Sequence, residues 1–213
     1  MGLFSKKPRP LTVHYEAKAA DGGLDQVLTM TNTTEHDLVP VLRFRPLDFY
    51  GRELPLTTVT SIQGLTRGQV VVPSNSQTRD VLRFEGPGCR NVRFVDTEVV
   101  DMVALDVAGL DTSPTTVMVD LDKKATNDPE NFWGVGVANA NEAEMRVRVT
   151  LVQLEPPHTE KELRDAPRQA QDWVSLEGDV VLDAKAHDVV WLPDGVRGQY
   201  HAVLGSVAAP PLD

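Results

Sequence analysis

The chain has 213 residues, 41% of them hydrophobic and 24% charged, with a formal net charge of −10. That length suits one large domain or two of roughly 100 residues, and no run approaches the ~18 apolar residues of a membrane span, so no integral membrane segment is expected. The negative balance argues against a nucleic-acid partner, because phosphate contacts need a basic face.

Residues 1–10 carry Lys6, Lys7 and Arg9 but no apolar signal core. Gly2 invites an acylation reading, yet Lys6 stands where that motif wants Ser or Thr. The segment reads as a disordered leader. From residue 11 onward the chain breaks into short stretches rich in Val, Thr and aromatics, punctuated by Gly, Pro, Asn and Asp. Strands are expected at 11–18, 25–32, 38–45, 69–73, 78–85, 91–107, 115–122, 132–139, 145–154, 179–183, 187–192 and 199–207. Short strands at this spacing fit antiparallel sandwiches better than alternating strand–helix units.

Within the stretch 38–45, Leu38, Pro40, Leu42 and Phe44 share one strand face, opposite Arg43 and Arg45. About 107 residues later Met145, Val147, Val149 and Leu151 share a face, opposite Arg146 and Arg148. The turns ahead of these strands also align, placing Asn32 on Asn139 and Glu35 on Glu142. Both turns open on an asparagine, a residue that tolerates left-handed backbone and bonds its own turn. Matching face parity is the stronger signal, since two copies of one fold must bury the same positions. Arg79–Phe84 and His187–Leu192 repeat near the same offset.

The expected architecture is therefore all-β: two tandem immunoglobulin-like antiparallel β-sandwich domains, 11–110 and 115–208, joined by a short linker near 109–114. Thr159-Glu160-Lys161-Glu162 forms a capping box, and Leu163, Ala166, Ala170 and Trp173 follow at helical spacing. A short helix over 159–173 is expected as an insertion in the second domain. The matching connection in the first, 49–68, reads as irregular.

The Asn32-Thr33-Thr34 turn, the strand through Val41–Phe44, the Leu47-Asp48-Phe49-Tyr50-Gly51 segment and Val72-Pro73 together give the first domain a layout that resembles FxLYD-type domains, a small immunoglobulin-like sandwich class. The spacing Phe44-Arg45-Pro46-Leu47-Asp48 departs from that family's pattern, and Leu151 stands where an aromatic belongs in the second domain. The resemblance implies a sandwich and a binding or assembly role, with no catalytic residues.

Candidate sites are few. Asp120, Asp122, Asn127, Asp128 and Glu130 offer oxygens to a calcium ion, but Lys123 and Lys124 sit among them and EF-hand spacing is absent. The one cysteine, Cys89, allows no intrachain disulfide and suits a reducing, cytoplasmic setting. Arg90 beside it would favour the thiolate. Trp133 and Trp191 are flat contact surfaces for a partner or sugar, although Trp133 also suits a core. Arg79, Arg83, Arg90 and Arg93 suggest a basic face on the first domain. Residues 1–113 hold 12 basic and 14 acidic residues, against 9 and 17 in 114–213, so the second domain is the acidic one. No nucleophile or phosphate-loop motif occurs. These features point to a non-catalytic protein that binds another protein or assembles with itself and needs no cofactor. The alternative is a small-ligand, carbohydrate or calcium-binding module.

Overall fold

A computed structural model describes residues 9–19, 24–105, 110–156, 167–176 and 178–209. Strand accounts for 52% of the described residues, well above the roughly 20–25% of an average domain, and the architecture is all-β. In chain order the strands are β1 (Leu11–Glu16), β2 (Val27–Asn32), β3 (Asp37–Leu47), β4 (Thr58–Ser61), β5 (Val70–Val71), β6 (Gln77–Glu85) and β7 (Phe94–Leu105), then β8 (Thr115–Val119), β9 (Gly134–Ala138), β10 (Met145–Leu154), β11 (Ala170–Ser175), β12 (Val180–Leu182), β13 (His187–Trp191) and β14 (Ala202–Ala208). Single 3-10 turns lie at Leu65–Arg67, Cys89–Asn91 and Pro129–Asn131.

The two halves pair their strands alike. β1–β2, β2–β6 and β3–β7 in the first half match β8–β9, β9–β13 and β10–β14 in the second, all antiparallel. A bridge from Leu38 to Val72 matches the Met145–Leu182 pair between β10 and β12. Alternation drives each half. Leu38 and Leu42 enter a first core with Leu28, Met30, Leu82 and Phe84. Met145, Val147, Val149 and Leu151 enter a second with Phe132, Val135 and Val137. Outward-facing Arg43 and Arg45 pair across the ladder with Glu98 and Asp96. Burial of such apolar rows contributes about 25 cal/mol per Å².

A buried asparagine ties the turn of each half to the strand beyond it. Asn32 Nδ2 donates to the carbonyls of His36 (2.7 Å), Val72 (3.0 Å) and Pro73 (3.1 Å), while its Oδ1 accepts from the amide (2.9 Å) and hydroxyl (2.8 Å) of Thr34. Asn139 Nδ2 donates to Ala143 (2.8 Å), Leu182 (3.2 Å) and Asp183 (2.9 Å), and its Oδ1 accepts from the amide and Nδ2 of Asn141, both at 2.9 Å. Facing these turns, Asn75 (φ 49°) and Lys185 (φ 58°) take the left-handed conformation, and their amides reach the carbonyls of Thr34 and Asn141. Neither Asn32 nor Asn139 has a positive φ. The expected tolerance of left-handed backbone is not what places them, and side-chain hydrogen bonding is.

The halves share a sheet. β14 lies between β10 and β5, with Val207 opposite Val71 and Ala208 opposite Val70. Val70 and Val72 enter the first core, whereas Val71 and Val39, from the other face, close the second. A third cluster joins Ile62 and Val81 to Val152, Leu154, Ala170 and Leu204. Arg168 Nε meets the buried Asp25 carboxylate at 3.1 Å. The connecting stretch is bonded on both sides. The Leu110 carbonyl accepts from the amide (3.1 Å) and hydroxyl (3.0 Å) of Ser74, and Asn141 Oδ1 accepts from the amides of Asp111 (2.8 Å) and Thr112 (2.9 Å).

Two local expectations need correction. Residues 159–166 of the expected helix lie outside the described residues, and its end is strand: Ala170–Ser175 pairs antiparallel with β10. The backbone groups of β10 on that edge need partners, and this demand overrides the helical spacing of Ala170 and Trp173. The connection 49–68 is also more regular than expected, since β4 pairs with β6 and a 3-10 turn follows.

Asp80 organises that corner. It is fully buried, accepting from Ser61 Oγ (2.5 Å) and from the amides of Gln63 (3.1 Å) and Val81 (2.6 Å). Ser61 Oγ in turn accepts from the amides of Gly64 and Leu65. Desolvation raises the Asp80 pKa from 3.8 to about 6, outweighing these hydrogen bonds.

Two predictions follow from these buried polar groups. Asn139→Ala and the isosteric Asn139→Asp each remove a donor shared by three carbonyls, so each should lower unfolding free energy by roughly 2–4 kcal/mol in urea titrations. A loss below about 0.5 kcal/mol in both would refute the role given to this side chain. The neutral Asp80 acid contributes stability that is fully present below pH 3.8 and lost as pH rises through about 6. The loss is roughly 3 kcal/mol, at ~1.4 kcal/mol per pH unit. Asp80→Asn should abolish this descent. Parallel stability–pH curves for wild type and variant would exclude it.

Candidate functional site

The end of the β3–β7 pair carries the most exposed aromatic residues. Leu47 lies opposite Phe94, and the chain turns back immediately after it to a bridge between Leu47 and Glu53. Asp48 builds this turn. Its Oδ1 accepts from the amides of Tyr50 (2.8 Å) and Arg52 (2.9 Å), and its Oδ2 accepts from Arg52 Nε (2.8 Å). Gly51 supplies the left-handed residue (φ 74°) that the reversal needs. The Arg52 hydrogen bonds and charge hold the Asp48 carboxyl below its ordinary pKa.

With the polar groups of the turn satisfied by one another, Phe49 (72% exposed) and Tyr50 (78%) project outward. Their rings meet edge to face at 5.6 Å, and the Arg52 guanidinium lies 5.0 Å from the Tyr50 ring centre. Leu56 and Phe94 add exposed apolar surface from adjoining segments. Side chains of this size are costly to leave in water and gain most from burial in a partner.

A second feature is a cleft of about 740 Å³ between the halves. Glu16, Thr29, Gln77 and Arg79 line one wall, and Thr116, Val203 and Gly205 line the other. Arg79 makes no ion pair among the described residues.

The other residues singled out in the sequence are dispersed. Arg83 pairs with Glu85 and lies 5.2 Å from the Trp173 ring. Arg90 reaches Glu155 (3.7 Å), and Arg93 donates to the carbonyls of Arg90 and Val92. The four arginines therefore do not form one unpaired basic face. Trp191 is half-exposed at the end of β13, its ring close to Gly134. Trp133 is half-buried beneath the Arg197 guanidinium (3.9 Å), while its neighbour Phe132 takes the core position. Cys89 sits half-buried against the first core.

In the acidic loop, Asp120 accepts from the amides of Asp122 and Lys124, and Asp122 pairs with Lys124 Nζ. Asp128 accepts from the Glu130 amide and from Asn131 Nδ2. These carboxylates shape turns, and the described residues contain no grouping of three His, Cys, Asp or Glu side chains suited to a metal ion. Asn127 and Glu130 do not alter that. No helix of the described residues is long and apolar enough to cross a membrane.

The sequence drew attention to Leu47–Gly51 through its family resemblance but not to the exposure of its aromatics. The readable signal was an Asp-x-x-Gly turn closing directly on a strand end. No family model, curated protein or solved structure matches the chain.

Asp48→Ala should release the turn while sparing the cores. Amide exchange at Tyr50 and Arg52 should accelerate at least tenfold, with a much smaller effect on protection in the cores. Unchanged protection at both amides would show that the turn does not depend on this carboxylate.

Proposed function

We propose that this is a non-catalytic, cytoplasmic protein that binds another protein or assembles with itself, built from two divergent copies of one immunoglobulin-like sandwich unit. The matching antiparallel strand pairing of the two halves and the two asparagine networks support the duplication. The observation that carries the binding reading is the aromatic turn. Phe49 and Tyr50 stand in solvent on a backbone already ordered by Asp48 and Gly51. A contact pre-ordered in this way loses little conformational entropy on docking. Its size suits insertion into an apolar pocket, with Leu56 and Phe94 beside it and Arg52 at the rim.

The cleft beside Arg79 favours a second reading, capture of a small anionic ligand between the halves. On that reading Arg79→Ala, rather than a change at the turn, would remove binding.

The test is affinity capture from a lysate of the native host, using wild type and the Phe49→Ala/Tyr50→Ala double variant. Wild type should retain a partner in stoichiometric amount, or run as a larger species. The double variant should lose it by about 30-fold or more, corresponding to at least 2 kcal/mol at a buried anchor. Both proteins should melt alike, because neither ring is in a core. An undiminished partner on the double variant would end the reading.

A further inference from the structure

We infer that a second copy of this chain docks head to tail, its β7 edge adding to the β12 edge of its neighbour. The inference rests on the duplicated-unit reading and uses a surface distinct from the aromatic turn.

Within one chain, the halves are joined where the β14 edge takes β5, with Val207 opposite Val71 and Ala208 opposite Val70. All four residues are buried. The shared strand pairing assigns each of them a counterpart. Val207 lies opposite Val147 of β10, as Met102 lies opposite Pro40 of β3, and the aligned positions make Met102 and Val103 the counterparts of Val207 and Ala208. Leu182 pairs with Met145 as Val72 bridges Leu38, so Val180 and Val181 are the counterparts of Val70 and Val71. The surfaces that join the halves therefore recur on the outside of the molecule.

Both recurrences are vacant and apolar. Among the described residues β7 pairs only with β3, and β12 only with β10. Val103 is 41% exposed and Val181 51%, whereas Val71 and Val207 are nearly inaccessible. Val99 and Val100 extend the apolar stretch along β7. The position is also continuous with the existing junction. The sheet runs β10–β14–β5, passes to β3 through the Leu38–Val72 bridge, and ends at β7. Its opposite margin is formed by β11 and β12, both on β10. Setting β12 of one chain against β7 of another extends the sheet by the contact that already holds the halves together. Val181 would then cover the margin of the first core at Met102, as Val71 covers the second core at Val207.

Two features make the contact weak. The shared edge is short, and the Met102 amide is already bonded to the Asp101 carboxylate (2.8 Å), which an incoming strand must displace. Carboxylates commonly guard open edges in this way. The contact is heterologous, with different surfaces on the two partners, so it closes into a ring or propagates.

That asymmetry supplies the test. Sedimentation of wild type over a rising concentration series should show mass growing beyond the monomer. Val103→Lys and Val181→Lys should each be monomeric with wild-type melting points. A 1:1 mixture should form a dimer and nothing larger, because one molecule keeps its β12 edge and the other its β7 edge. The milder Val103→Thr and Val181→Thr should weaken the same association. Wild type that stays monomeric throughout, lysine variants that assemble like wild type, or a mixture that fails to combine would each overturn the inference. Capture through Phe49 and Tyr50 should survive both lysine variants, so the two proposals fail separately.

Discussion

Each half of this protein depends on one amide side chain buried where a turn meets two strands. An asparagine carries a donor and an acceptor on a single short arm, and both are needed here. At Asn32 and Asn139 the acceptor holds the turn in shape, while the donor collects carbonyls from the turn and from a strand some forty residues away. The Val72 carbonyl also accepts from the Leu38 amide and the Asp183 carbonyl from the Ala186 amide, so each asparagine joins its turn to backbone that is already paired. Aspartate has the right shape but cannot donate, and a shorter side chain cannot reach. The apolar rows supply most of the stability, whereas these two residues fix how the rows are brought together.

Much of the architecture was legible because alternation at period two is a local signal. Leu38, Pro40 and Leu42 announce their buried face without reference to the rest of the chain, as do Met145, Val147 and Val149. The strands that escaped notice, Thr58–Ser61 and Ala170–Ser175, are short and mixed in polarity. They are strands because β6 and β10 present unpaired backbone groups to them, a fact held by distant residues. The end of the expected helix is strand for the same reason: Ala170 and Trp173 fit a helical face, but a ladder partner was waiting.

Charge was the least legible property. Arg83, Arg90 and Arg93 cluster in sequence, yet the fold brings the distant Glu155 to Arg90 and the Trp173 ring to Arg83, while Arg93 bonds the nearby carbonyls of Arg90 and Val92. The exposed aromatics were hidden for the opposite reason. Phe and Tyr are ordinarily read as core formers, and the Asp-x-x-Gly spacing that marks the turn does not by itself place both rings outside. Asp80 illustrates a related limit. Its counterpart in the aligned stretch, Asp188, is exposed, so the same residue type serves as a buried corner post in one half and a surface group in the other.

The pairing of β5 with β14 has a consequence for synthesis. Chains leave the ribosome from the N-terminus, so β5 is released about 130 residues before its partner. During that interval Val39 and Val71 have no second core to enter, and the open margin of β5 is available to any strand nearby. Closure of that edge awaits Ala202–Ala208. A nascent first half is therefore a hazard for wrong partnering until β14 has emerged, and truncation ahead of β14 would injure the half of the protein that was made first.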